Sequence, residues 1–251
     1  MKRLLAALLL AFAALSAMAG GPARADDCIL DHCADRRSSP DAPAASAPDP
    51  APWRRSSGGG ALAGDFDFYV LALSWSPSFC AMGGAARSPA QCASGANPGF
   101  VVHGLWPQND YGYPRQCPGN GFLPFSVLSS LGDLYPDQGL ARHEWRQHGL
   151  CSGKPPSGYF ADVRTARDAI AVPPAFKAPA TDLRLSPLDV QRAFFDANPR
   201  LRPGMMAVTC RRGLFQEARF CLSKDLRAFV PCPQVAQQGC RSQSVVLPAA
   251  R

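Results

Sequence analysis

The stretch Phe66-Asp67-Phe68-Tyr69-Val70-Leu71-Ala72-Leu73-Ser74-Trp75-Ser76-Pro77 decides the fold class of this chain. Side chains alternate along a strand, so Phe66, Phe68, Val70 and Ala72 share one face and Asp67, Tyr69 and Leu71 the other. Both sets are largely apolar, the pattern of a central strand covered on both sides. Ser74-Trp75-Ser76-Pro77 ends it. A second strand is predicted from Gly99 to about Leu105, and loops rich in Gly, Pro and Asn follow from Asn109 to Pro124. Helical patterns cover Phe125 to Leu134, Gly139 to His148 and Phe160 to Ile170. Ser186-Pro187-Leu188-Asp189 starts another helix, with Ser as N-cap and Pro in the first turn, and Asn198-Pro199 stops it after Ala197. Strand-like pieces return at Met205 to Cys210 and Leu214 to Leu222. Strands at both ends with helices between them imply an α+β domain.

Outward from this core, the N-terminal segment changes character twice. Lys2 and Arg3 precede an apolar run from Leu4 to about Ala17, and small residues then offer Ala17-Met18-Ala19 or Ala23-Arg24-Ala25 for cleavage. That order reads as a secretory signal peptide over residues 1–25, and the apolar run is too short for a comfortable membrane span. Residues 26–60 are rich in Pro, Ala, Ser and Gly and cannot bury enough apolar surface to offset the entropy of ordering them. They are expected to form a disordered tail, leaving 61–251 as one folded domain. The ten cysteines agree with export to a periplasm or the medium, because disulfides persist in oxidising compartments. An even count favours five bridges, and the C-x-x-C pairs of a zinc site are absent.

The formal charge is +7, and loss of Lys2, Arg3 and Arg24 with the leader would leave +4. A modestly basic protein attracts polyanions such as RNA, although many exported proteins share this balance.

Three of the four histidines fall in two compact motifs: Phe100-Val101-Val102-His103-Gly104-Leu105-Trp106-Pro107, and His143-Glu144-Trp145-Arg146-Gln147-His148-Gly149-Leu150-Cys151. At about 100° per residue, His143, Gln147, Glu144 and His148 fall within an arc of about 140°, while Trp145 lies outside it. One face is thus polar and titratable, and the tryptophan is left to anchor the helix. The zinc motif H-E-x-x-H needs histidines four apart; here they are five apart, and Gln147 occupies the ligand position. No metal or cofactor is expected. Two histidines suit RNA transesterification, in which a neutral imidazole deprotonates the ribose 2′-hydroxyl and a protonated one donates to the departing 5′-oxygen. A rival of another class is a secreted RNA-binding protein that keeps the fold and has lost most catalysis.

With these motifs the chain resembles the ribonuclease T2 family of exported, low-specificity endoribonucleases. The resemblance runs from about Phe66 to Cys240. It includes Phe68 to Pro77, Glu217-Ala218-Arg219-Phe220-Cys221-Leu222-Ser223-Lys224-Asp225-Leu226, and Pro231-Cys232-Pro233. It implies an α+β fold around an antiparallel sheet, with His148 as general base, His103 as general acid, His143 on the phosphate and Glu144 polarising it. Trp106 and Tyr113 are the implied base-stacking aromatics. The implied reaction is metal-independent cleavage of single-stranded RNA to 2′,3′-cyclic phosphates and then 3′-phosphates, by a monomer without a membrane anchor. The implied disulfides are Cys80–Cys92, Cys117–Cys151, Cys210–Cys240 and Cys221–Cys232, with Cys28–Cys33 as the remaining pair.

One position departs from the family pattern. Gln147, expected to contact the phosphate or its transition state, stands where the family usually has lysine. An amide can donate a hydrogen bond but carries no charge. The neighbouring Arg146 lies about 100° away around the helix, so it is not an automatic replacement.

Overall fold

A computed structural model describes residues 60–96 and 99–250. The expected leader over 1–25, the tail over 26–60 (apart from Gly60) and the Cys28–Cys33 pair lie outside the described residues. The elements are β1 (Phe68–Trp75), α1 (Ser76–Ala81), β2 (Phe100–Gln108), α2 (Phe125–Ser129), α3 (Gln138–Gln147) and α4 (Pro156–Asp168). These are followed by β3 (Leu183–Leu185), α5 (Pro187–Ala197), β4 (Met206–Arg211), β5 (Leu214–Ser223), α6 (Pro233–Ala236) and β6 (Val245–Leu247). The strands form one sheet in the order β2-β1-β5-β6-β3, with β4 also paired to β5. Every ladder is antiparallel except the short parallel contact between β5 and β6. The protein is α+β.

β1 is the central strand that its composition implies, hydrogen-bonded to β2 on one side and β5 on the other. Its alternation divides the core. Tyr69, Leu71, Leu73 and Trp75 enter a large cluster with residues of the helices, including Trp145, Tyr159, Phe160 and Phe194. Phe68, Val70 and Ala72 join a small cluster with Trp106, Ala207, Cys221, Cys232 and Val235 on the opposite face. β2 is an edge strand, and α3 packs beside it, so that a histidine-bearing strand and a histidine-bearing helix become neighbours.

Several boundaries differ from the sequence expectation for local reasons. The helix from Phe125 stops at Ser129, short of Leu134, where Ser129 and Ser130 hydroxyls bond back to Ser126 and Val127 carbonyls. Such local bonds compete with helix continuation. Leu131 and Leu134 are nevertheless buried, in turns. α4 begins near Pro156 and not at Phe160, because Pro is compatible with the first helical turn. Pro77 likewise opens α1 directly after β1. α5 has the expected start, a capping box between Ser186 and Asp189.

Four disulfides occur among the described residues: Cys80–Cys92, Cys117–Cys151, Cys210–Cys240 and Cys221–Cys232. Cys117–Cys151 ties the loop after β2 to the turn after α3, and so joins the segments that carry the two histidine motifs. Restricting an unfolded chain in this way stabilises a fold by roughly 2–4 kcal/mol. A Cys117→Ser/Cys151→Ser double variant should lose that amount in urea titration; an unchanged unfolding free energy would contradict the tie.

Candidate active site

The register between β1 and β2 pairs Ala72 with Gly104 and then Leu73 with Val102, so His103 is the extra residue of a β-bulge. A bulge interrupts strict alternation and re-aims a side chain. From this position the His103 ring reaches across β1 to Glu217 on β5, with Nδ1 and Oε1 2.6 Å apart. Ser74, directly opposite Glu217 in the β1–β5 ladder, donates its hydroxyl to the same oxygen at 3.2 Å. Arg219, two residues further along β5 and therefore on the same face, donates Nε–H to Oε2 at 2.9 Å.

Glu217 is buried, and burial alone would raise its pKa. The charges of Arg219 and His103, with their hydrogen bonds, outweigh that effect and hold the carboxyl well below the usual carboxylate range. Glu217 is therefore ionised, and an acceptor only, at neutral pH. The proton of the 2.6 Å bond then belongs to His103 Nδ1, which leaves Nε2 for the other side of the site.

That other side is built by α3. Asp137 caps the helix by accepting from the Leu140 amide at 3.1 Å. Trp145 anchors it in the main core and donates its indole N–H to the Asn120 carbonyl at 3.1 Å. Glu144 is fully buried and points at β2, where Trp106 donates Nε1–H to Oε2 at 2.9 Å. Gly104 makes this approach possible. A Cβ there would lie 2.0 Å from Glu144 Oε2 and 2.3 Å from Trp106 Nε1, so no other residue fits. His103 Nε2 lies 3.8 Å from Glu144 Oε1, and His148 Nε2 lies 4.0 Å from Oε2. His148 follows the last helical residue with an extended φ of −126°. Its amide still donates to the Glu144 carbonyl at 2.9 Å, which keeps both side chains together.

Trp106 packs between the histidines, with ring centroids 5.2 Å from His103 and 5.5 Å from His148. The Arg219 guanidinium stacks over it at 5.0 Å. The structure thus brings together His103, Glu144, His148 and Trp106. His143 is half-buried and Gln147 is exposed on the neighbouring edge of α3; neither makes a side-chain hydrogen bond with a described residue. Tyr113, in the loop after β2, is half-buried beneath the Arg115 guanidinium at 4.4 Å. Glu217 and Arg219 received no role from the sequence. The signal was present, since a carboxylate inside an otherwise apolar strand demands a partner. What it partners depends on a contact across three strands.

Chemically, the site offers two imidazoles whose Nε2 atoms converge on one buried carboxylate. One of the imidazoles is backed by a second carboxylate. The arrangement can give and take protons on two sides of one small anionic group.

The depressed pKa of Glu217 makes stability pH-dependent. Its contribution is complete above the unfolded carboxylate value of about 4.3 and is lost as pH falls below it toward the much lower folded value. Glu217→Gln should cost about 3 kcal/mol at pH 7, because it leaves buried charges unpaired, and much less at pH 3. Urea unfolding at the two pH values measures the difference; equal losses at both would refute the charge argument.

The family model for the ribonuclease T2 family matches residues 66–232, a span that contains every residue of this site. A ribonuclease of Aeromonas hydrophila is 34% identical over 178 residues, covering 70% of this chain and 80% of its own. A probable ribonuclease of Haemophilus influenzae is 36% identical over 120 residues, covering 43% of this chain and 44% of its own. Among solved structures, an RNase-related protein from Calystegia sepium superposes with a TM-score of 0.59 at 23% identity, covering 74% of this chain and 98% of its own. Fold, family match and a relative aligned along most of its length agree: the chain belongs to the ribonuclease T2 family and is a T2-type ribonuclease.

Proposed function

We propose that this ribonuclease cleaves single-stranded RNA internally by transesterification, without a metal ion and with low base specificity. The observation that carries the reading is the convergence of His103 Nε2 and His148 Nε2 on Glu144, at 3.8 and 4.0 Å. His148 takes the proton of the ribose 2′-hydroxyl as its oxygen bonds to phosphorus. The bond from phosphorus to the 5′-oxygen breaks, and His103 Nε2 supplies that oxygen with a proton. A 2′,3′-cyclic phosphate results, and water then opens it slowly to a 3′-phosphate. Glu217 supports the acid role, because a carboxylate on Nδ1 fixes the ring and stabilises its positive charge. It acts as a positioning residue.

Glu144, oriented by Trp106, and His143 serve the phosphoryl oxygens, with Gln147 at their outer edge. The burial of Trp106 supports an anchoring role for it over an open stacking face; Tyr113 keeps the stacking role, which tolerates any base. The leader pattern over 1–25 and the disulfides support export to a periplasm or the medium.

Cleavage of RNA should persist in EDTA, and DNA should not be cut, since it lacks the 2′-hydroxyl. His103→Ala and His148→Ala should each lower the rate by about 10²–10⁴. A chelator-sensitive enzyme, or a His148→Ala variant that cuts normally, would exclude the scheme.

At Gln147 a lysine would place a charge near the transition-state oxygens, where charge-assisted hydrogen bonds are about twice as strong as neutral ones. Gln147→Lys should raise kcat about tenfold, equivalent to roughly 1.4 kcal/mol, with a smaller change in KM. A flat or reduced kcat would mean that another group already supplies the charge.

A further inference from the structure

Helix α3 carries a second feature on the side away from Glu144. A groove of about 380 Å³ is lined by Gly121, Phe122, Leu123, Phe125, Leu128, Arg142 and Arg146. Phe122 and Phe125 are 68% and 77% exposed, well beyond what a core aromatic shows. Arg142 and Arg146 are four residues apart, hence on one face of α3, and neither forms an ion pair with any described residue. Like charges at that spacing disfavour the helix. No acidic residue lines the groove among the described residues; Asp137 caps α3, and Asp133 binds Arg164 and Arg167. The stem of Arg146 runs beside Gly121, where an added Cβ would lie 3.1 Å from its Cγ, and the residue lines the groove.

The order of residues around α3 links this groove to the catalytic side. At about 100° per residue, Glu144 and His148 form one edge, His143 and Gln147 the next, and Arg142 and Arg146 the one beyond. On this order, a strand leaving the catalytic edge would cross the His143–Gln147 edge before it reached the arginines. Guanidiniums without an ion pair among the described residues, beside exposed aromatic rings, suit one chemistry in particular: phosphates held by charge and bases stacked without regard to sequence. We infer that the Arg142–Arg146–Phe122–Phe125 groove is a distal binding subsite for single-stranded RNA, contacting phosphates through the arginines and a base through the phenylalanines. This inference rests on the cleavage reading above for the source of the strand, but its test does not.

Two substrates separate the contributions: a dinucleoside monophosphate, too short to leave the catalytic edge, and a 2′-deoxy oligonucleotide of about twelve residues, which binds without being cut. Arg142→Ala/Arg146→Ala should weaken oligonucleotide binding at least fivefold. It should also reduce the slope of log affinity against log salt by about 1.4, since each single-strand phosphate contact contributes about 0.7. Arg142→Lys/Arg146→Lys should keep most of that slope. Phe122→Ala/Phe125→Ala should weaken binding by a similar factor with the slope unchanged. None of these variants should alter kcat/KM on the dinucleoside monophosphate. Oligonucleotide binding equal to the unsubstituted protein would overturn the subsite, and so would an equal loss on both substrates. Selective retention of an acidic peptide such as polyglutamate, with oligonucleotide binding unaffected, would assign the groove to a protein partner and overturn it as well. A protein that never cuts the dinucleoside monophosphate, yet loses oligonucleotide binding in the variants, would sink the cleavage reading and leave the subsite standing.

Discussion

The 2.6 Å contact between His103 Nδ1 and Glu217 spans three strands, and much of the site follows from it. A carboxylate this deeply buried keeps its charge only where positive groups offset the lost hydration. Arg219 and His103 do so, and Ser74 satisfies a further lone pair. The requirement propagates outward. Ser74 and Glu217 must stand opposite each other, which holds the register of β1 against β5, and His103 must leave the ordinary alternation of β2, which the bulge permits. With Nδ1 committed, Nε2 has a single remaining direction, toward Glu144.

Against this fixed side the helix side is assembled by packing. Trp145 and the Asp137 cap hold α3, and Gly104 removes the one Cβ that would keep Glu144 away from β2. Cys117–Cys151 then ties together the two segments that must remain adjacent. Trp106 connects the halves: its N–H engages Glu144, its ring separates the histidines, and Arg219 covers it from the Glu217 side. A residue bonded on so many sides orients its neighbours more than it offers a free surface.

Around α3 the chemistry changes by sector. The buried sector holds the carboxylate and the tryptophan anchor, while His143 with Gln147 and Arg142 with Arg146 form two more accessible sectors, each of one half-buried and one exposed residue. Gln147 carries no charge in the sector it shares with His143, and the stem of Arg146 passes along Gly121 in the next one. The arginine side chains of α3 thus line the groove with Phe122 and Phe125, on the opposite side of the helix from Glu144.

The sequence by itself determined the elements whose signals are local. β1 was legible because both of its faces are apolar, α5 because Ser186 and Asp189 cap it, and the Glu144–His148 edge because helical spacing is regular. Gly104 was visible as a letter, and its reason only as an approach distance. Tertiary structure alone decided the rest. β3 and β6 are three residues each and pair with one another between positions 60 to 64 apart in the chain. Glu217, and Arg219 that pairs with it, stayed without a role because the other partner of Glu217, His103, lies more than a hundred residues earlier and is turned toward it by a bulge that composition does not encode. Periodicity reports which face a side chain takes; which distant charge it meets there is set by strand order and register, and those exist only once the sheet has formed.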